Sequence, residues 1–272
     1  KLVARQILDQ LSANAGDAGR EERKATIHQA KSSWLQALSS MDHEDDDPGT
    51  DWNAESRKRD ADLMSPRQAW RAIQAGLPED AIISSDIGNN CAIGNAYPTF
   101  EEGRKYLAPG LFGPCGYGFP SILGAKIGNP DTPVVGFAGD GAFGISMNEM
   151  ISCGREEWPA ITMVIFRNYQ WGAEKRNSIL WYDNNFVGTE LNPDLSFAKV
   201  AEGCGLKGVS VKTPEALTEA LKVACKAQDD GVTTFVEIVL NQELGEPFRR
   251  DAMTAPVEVA GIDASDMRPQ KT

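Results

Sequence analysis

The chain has 272 residues, 41% of them hydrophobic, which is enough for one large α/β domain or for one domain and part of another. A net charge of −12 and a pI of about 4.7 argue against a general nucleic-acid or anionic-membrane binder, because both need an excess of Lys and Arg. No signal-like pattern and no apolar stretch of bilayer length is visible, and the five scattered cysteines form no CxxC pair, so free thiols in a reducing cytoplasm are expected.

The opening residues, "KLVARQILDQL", are in helical periodicity from the start and lack a Met, so the chain is expected to be part of something longer. Residues 21–41 repeat the pattern, with Ile27, Ala30, Trp34, Leu38 and Met41 on one face. Residues 1–42 are therefore expected to be the helical tail of a preceding domain. The next stretch, "HEDDDPGTDWNAESRKRDAD" (43–62), is polar, charged and broken by Pro-Gly, and residues 43–64 read as an acidic linker or solvated loop. Its carboxylates lack the spacing and the Gly of a calcium loop.

From residue 65 strands alternate with helices. Ser65 and Pro66 open a helix as N-cap and first helical residue. "AIISSD" (81–86) is a short strand, and a glycine-rich loop (108–120) precedes helix "SILGAKIG". Strand "VVGFAGD" runs into a helix near Ala142. "AITMVIF" (160–166) is a continuous apolar run, the mark of a strand buried on both faces. A helix near 193–205, strand "LKGVSV", a long amphipathic helix at 213–228 and strand "TTFVEIVL" complete the alternation. An α/β fold with a parallel sheet and helices on both faces is expected over 65–245, with a tail at 246–272. In such sheets ligands bind at the carboxyl ends of the strands. Three unusual stretches fall there: "DIGNN", "GDGAF" and "FRNYQWG".

Asp140 lies where a strand ends and a helix begins. Gly139 and Gly141 allow a sharp bend and close approach of a ligand. The helix start offers unpaired N–H groups suited to phosphate. A carboxylate there would repel phosphate unless a divalent cation lies between them, and Mg²⁺ is hard and oxygen-liganded. Asn168, 28 positions on (168 − 140) and just past the next strand, offers a neutral oxygen at the same sheet edge. GDG alone is also compatible with a simple tight turn.

The triplet followed at this spacing by "RNYQWG" resembles the cofactor motif of the thiamine-diphosphate-dependent enzymes. The resemblance implies a Mg²⁺ site made by Asp140, Asn168 and the main-chain carbonyl of Gln170. The motif usually ends in Asn-Asn, whereas Arg167-Asn168 stands here, with no expected harm to the metal site. "SDIGNN" resembles the family's diphosphate loop and implies that role for Asn89 and Asn90. "GLFGPCGYGFP" resembles the segment that meets the aminopyrimidine, which implies a carbonyl contact from Gly113 and an apolar prop from Cys115, smaller than the usual Met, Leu or Ile. Gly139, Gly141, Ala142, Trp171 and Gly172 complete the expected thiamine diphosphate site. The expected fold is that family's diphosphate-binding domain.

The stretches "NYQWGAEKRNSILWYDNNFVGTEL" and "NQELGEPFRRDAM" are similar to the sulfoacetaldehyde acetyltransferase branch. That likeness implies conversion of sulfoacetaldehyde and phosphate to acetyl phosphate and sulfite. Both substrates are anions, so Lys175 and Arg176, or Arg249 and Arg250, are candidates to receive them, the first pair as catalytic residues beside Gly113 and Cys115. Neither histidine, His28 or His43, lies in the catalytic domain. In the family an activating Glu comes from a pyrimidine-binding domain, usually of a neighbouring subunit. That domain is expected outside this chain, in a homodimer or homotetramer, and the chain by itself is expected to be inactive. Two alternatives remain: an acetolactate synthase-like 2-oxoacid carboligase, and a non-catalytic piece that binds cofactor or assembles with its other half.

Overall fold

The computed structural model describes residues 19–40, 51–100, 103, 105–182 and 184–245. The chain divides into two units, residues 1–47 and 48–272. Within the first, α1 (Arg20–Ser40) is the described element. Its expected apolar face is half open to solvent, with Ile27 57% and Trp34 44% exposed and Leu38 buried. Met41, the helix expected at 2–12 and the tail from 246 lie outside the described residues.

The second unit is built on a sheet of six parallel strands. These are β1 (Ile82–Ser85), β2 (Tyr106–Leu107), β3 (Val134–Gly139), β4 (Thr162–Arg167), β5 (Lys207–Val211) and β6 (Thr234–Val239), in the order β2-β1-β3-β4-β6-β5. Apolar runs explain the centre: β3, β4 and β6 bury nearly every residue, as strands covered on both faces do. On one face Trp70 of α3 (Pro66–Gly76) packs at 4.8 Å from Phe137 and 5.2 Å from Phe166. On the other, Phe119, Phe143, Phe197 and Phe235 cluster with Ile122 and Met163.

Local signals set the helix starts. Ser65 accepts from the Gln68 N–H at 3.2 Å, Gln68 Oε1 accepts from the Ser65 N–H at 2.9 Å, and Pro66 is pre-set for the first turn. Thr213 Oγ1 accepts from the Ala216 N–H at 3.3 Å and so caps the long helix Pro214–Ala227, with Pro214 following. The chain leaves β1 for β2 on one side and returns to β3 on the other. That reversal opens a crevice beyond the carboxyl ends of β1 and β3, where such sheets bind ligands.

Residues 51–59, expected as solvated loop, instead form α2 (Asp51–Arg59). The reason is a hydrogen-bonded seam with residues 242–244 after β6. Trp52 Nε1 donates to the Gln242 carbonyl at 3.0 Å, and Gln242 N–H donates to Ser56 Oγ at 2.8 Å. Asn53 donates to the Leu244 carbonyl at 2.7 Å and accepts from its N–H at 2.8 Å. Asn53 and Ser56 are buried as a result. Each such bond contributes about 1 kcal/mol, so a set of them orders a helix that shows no apolar stripe. All five cysteines are free thiols, and no described helix is long and apolar enough to cross a membrane.

Candidate active site

Three loops at the carboxyl ends of β1, β3 and β4 converge. After β1, Asp86 is buried, with Oδ1 accepting from Ile87 N–H (2.8 Å) and Gly116 N–H (3.1 Å), and Oδ2 from Gly118 N–H (2.6 Å). It ties the strand end to the glycine-rich loop. Burial pushes its pKa up, and these N–H bonds oppose the shift. The loop needs glycine at 113, where φ is +60°. Asn89 and Asn90 begin the short helix α4 (Asn89–Gly94) and are buried. Trp70 Nε1 donates to the Asn90 carbonyl at 2.7 Å and so carries the core's rigidity to this turn.

After β3, Asp140 starts α5 (Asp140–Ser146), two residues earlier than the sequence suggests. Gly139 has φ −69°, an ordinary extended value, so the bend does not depend on it. Gly141 is required for a different reason, because a Cβ there would lie 2.8 Å from the Trp171 ring. Asp140 is 4% exposed. Oδ1 accepts from Gly141 N–H at 2.9 Å, and Oδ2 accepts from both Asn168 N–H (3.0 Å) and Tyr169 N–H (2.6 Å). Burial raises its pKa to about 7 against these bonds, and among the described residues no Lys or Arg is ion-paired with it.

After β4, Tyr169 turns left-handed with φ +58°. Tyr169 and Trp171 then exchange backbone bonds with Leu191 and Thr189, at 2.8 Å each. Gln170 pairs with Glu190 across this bridge, and the bridge uses neither its own N–H nor its carbonyl. Three buried side-chain atoms here have no hydrogen-bond partner among the described residues, Asn168 Nδ2, Gln170 Oε1 and Thr189 Oγ1. A carboxamide turned by half a rotation presents its oxygen in place of its nitrogen. An ionisable carboxyl without a counter-charge, a carboxamide with an orphaned end and a free carbonyl make a fitting donor set for a hard divalent cation.

A cleft of about 190 Å³ runs across these loops. Asn89, Asn90, Gly113, Cys115, Gly139, Asp140, Gly141, Ala142, Gln170, Trp171 and Gly172 line it, with Asn168 buried behind. The Cys115 thiol is pushed up from its usual pKa, first by burial and then by Asp86 and Glu174, which disfavours the thiolate. No Lys or Arg lines the cleft among the described residues. Lys175 and Arg176 lie on the helix α6 that follows it (Gly172–Trp181). Lys175 is fully buried, ion-paired with Glu190 and seated 4.1 Å from the Trp52 ring. Burial lowers its pKa and Glu190 opposes that. Arg176 is half-buried. Arg249, Arg250 and His43 lie outside the described residues.

Sequence reasoning missed the strap Asn241–Gly245. Gln242 Nε2 donates to the Asn168 carbonyl at 2.9 Å, and its own carbonyl accepts from Gln170 Nε2 at 3.1 Å. Asn89 Oδ1 accepts from Gly245 N–H at 3.0 Å. The Glu243 carboxylate is held by Arg67 at 2.7 Å and Arg57 at 3.4 Å. The strap thus joins the β1 and β4 loops from behind. A run of polar residues after a buried strand was the available signal.

Residues 86–238 match the family described as "Thiamine pyrophosphate enzyme, C-terminal TPP binding domain". A "Probable sulfoacetaldehyde acetyltransferase" of Rhizobium meliloti (strain 1021) is 78% identical over 271 residues, 100% of this chain and 46% of that protein. A "Sulfoacetaldehyde acetyltransferase" of Roseovarius nubinhibens is 69% identical over 100% of this chain and 45% of its own length. The chain therefore spans about half the length of these curated relatives. Among solved structures, a thiamine diphosphate-dependent 4-hydroxybenzoylformate decarboxylase of Rhodococcus jostii RHA1 superposes with a TM-score of 0.59 at 27% identity, over 66% of this chain and 33% of the other. With its parallel sheet, its crevice between β1 and β3 and this match over more than half its length, the chain belongs to the thiamine pyrophosphate enzymes, as their C-terminal TPP binding domain.

Proposed function

We propose that the cleft holds the diphosphate of thiamine diphosphate through Mg²⁺, with Asp140, the Asn168 carboxamide and the Gln170 carbonyl as ligands. The observation that supports this most is Asp140, a buried carboxyl whose charge no described cation offsets. Asn89, Asn90 and the Ala142 N–H would receive diphosphate oxygens, with Gly141, Trp171 and Gly172 closing the same wall. Gly113 and Cys115 would meet the pyrimidine end, Cys115 as an apolar contact. When bound, the cofactor supplies a carbanion that adds to a carbonyl and accepts the electron pair released there. The chain's own part is to neutralise and orient the diphosphate and to exclude water. Asp140→Ala should abolish metal-dependent cofactor binding; thiamine diphosphate binding equal to wild type by calorimetry would overturn the site.

The activity proposed for the whole protein is conversion of sulfoacetaldehyde and phosphate to acetyl phosphate and sulfite, which the names of the relatives support. The anions need positive charge that the described cleft wall does not carry. Arg176, Arg249 and Arg250 are the proposed sources, and Lys175 could serve only by exchanging Glu190 for the anion. Leu111 and Phe112 stand fully exposed on the glycine-rich loop at the cleft, which favours an assembly that covers them, proposed as a homodimer or homotetramer. Sulfite release with acetyl phosphate formation tests the reading. Acetolactate and CO₂ from pyruvate would instead establish the carboligase alternative.

A further inference from the structure

Arg167 ends β4 at the place where the resembled motif has its first Asn. Its guanidinium donates from Nη1 to Glu237 Oε1 at 2.7 Å and from Nη2 to the Pro193 carbonyl at 2.8 Å. It also lies 4.6 Å from the centre of the Tyr169 ring. Glu237 is fully buried on β6 and takes further hydrogen bonds from Ser196 Oγ (3.2 Å), Ser210 Oγ (3.0 Å) and Phe197 N–H (2.6 Å). The guanidinium is therefore pinned at both ends of its fork, and the position of its flat face is set by the sheet.

What that face meets is strained. Tyr169 is one of two described non-glycine residues with positive φ, the other being Asn184. A bulky side chain in that region persists when its surroundings over-determine it. The left-handed turn lets two successive N–H groups, of Asn168 and Tyr169, converge on one Asp140 oxygen. It also separates Asn168 from Gln170, and so sets how the two stand to Asp140.

We propose that Arg167 is a positioning residue for the cation site: held by Glu237 and Pro193, its guanidinium retains the Tyr169 ring and with it the left-handed turn between Asn168 and Gln170. The inference rests on the reading of Asp140, Asn168 and Gln170 as cation ligands. Lysine cannot replace Arg167, because a point charge on a flexible stem offers neither the two-armed fork nor the flat face.

The test is Mn²⁺ binding in the presence of thiamine diphosphate, read from loss of the free-ion electron paramagnetic resonance signal. Arg167→Lys, Arg167→Asn and Tyr169→Val should each weaken Mn²⁺ binding by about tenfold or more, the usual cost of losing a partner behind a metal ligand. Tyr169→Val keeps the Arg167–Glu237 ion pair, so it tests the turn even where removing Arg167 unfolds the chain. Tyr169→Gly takes positive φ without steric cost and should stay within about threefold of wild type. In that background Arg167→Lys should cause no further loss, a result that a merely structural role for Arg167 would not produce. Wild-type affinity in the Arg167 and Tyr169→Val variants, or an equal cost of Arg167→Lys in the Tyr169→Gly background, overturns the proposal. Mn²⁺ binding that survives Asp140→Ala overturns the ligand reading, and this inference with it.

Discussion

Asp140→Asn should make the metal-free protein more stable at alkaline pH while destroying the proposed cation site. Burial holds the Asp140 carboxyl at a pKa of about 7, against about 3.9 for an unperturbed Asp. Between these values the unfolded chain has lost the proton and the folded chain keeps it, so stability falls as pH rises through this window and levels off above pH 7. At 1.36 kcal/mol per pH unit, the loss reaches about 4 kcal/mol at pH 8.5 and about 2 kcal/mol at pH 5.5. Asparagine has no proton to lose, but it has one acceptor oxygen where Asp140 uses two for three backbone N–H groups. Losing one of those bonds costs about 1 kcal/mol. The variant should then exceed wild type by about 1 kcal/mol at pH 5.5 and about 3 kcal/mol at pH 8.5, on the same linkage arithmetic. The assay is urea unfolding of both proteins at the two pH values with a chelator present. Addition of Mg²⁺ and thiamine diphosphate at pH 8.5 should stabilise wild type and leave the variant unmoved. A stability difference that stays constant, or shrinks, as pH rises would refute the reasoning.

Two further outcomes are expected. Cys115→Leu restores bulk at an apolar contact and should retain thiamine diphosphate binding, whereas loss of all turnover in Cys115→Ser with cofactor still bound would reveal a thiol role that the raised pKa argues against. Gln242→Ala removes the donor to the buried Asn168 carbonyl and the acceptor for Arg59; it should lower the urea midpoint by an amount equivalent to about 2 kcal/mol and weaken cofactor binding measured by calorimetry, and unchanged values of both would remove the strap from any role at the site.

The order of the five longer strands, the helix starts at Ser65 and Thr213, and the nearness of Asp140 to Asn168 could all be read from residue order. Each is a local matter. Alternation of apolar runs follows from burial on the faces of a sheet, a cap needs a partner three residues away, and strand ends bring loops to one edge whatever the side chains do. The Asp86 anchor, the α2 helix, the Asn241–Gly245 strap and the Lys175–Glu190 pair could not be read that way. Asn53 meets Leu244 across 191 positions, and Gln242 meets Asn168 across 74. Such polar seams obey no period, because each partner is chosen by where the folded sheet delivers it. The same holds for charge. Lys175 and Arg167 are both basic residues flanking the loop after β4, and composition cannot tell them apart. Tertiary structure seats one on Trp52 beside the exposed Glu190 and the other on the buried Glu237 beneath Tyr169, because a cation withdrawn from water is stable only where a carboxylate reaches it.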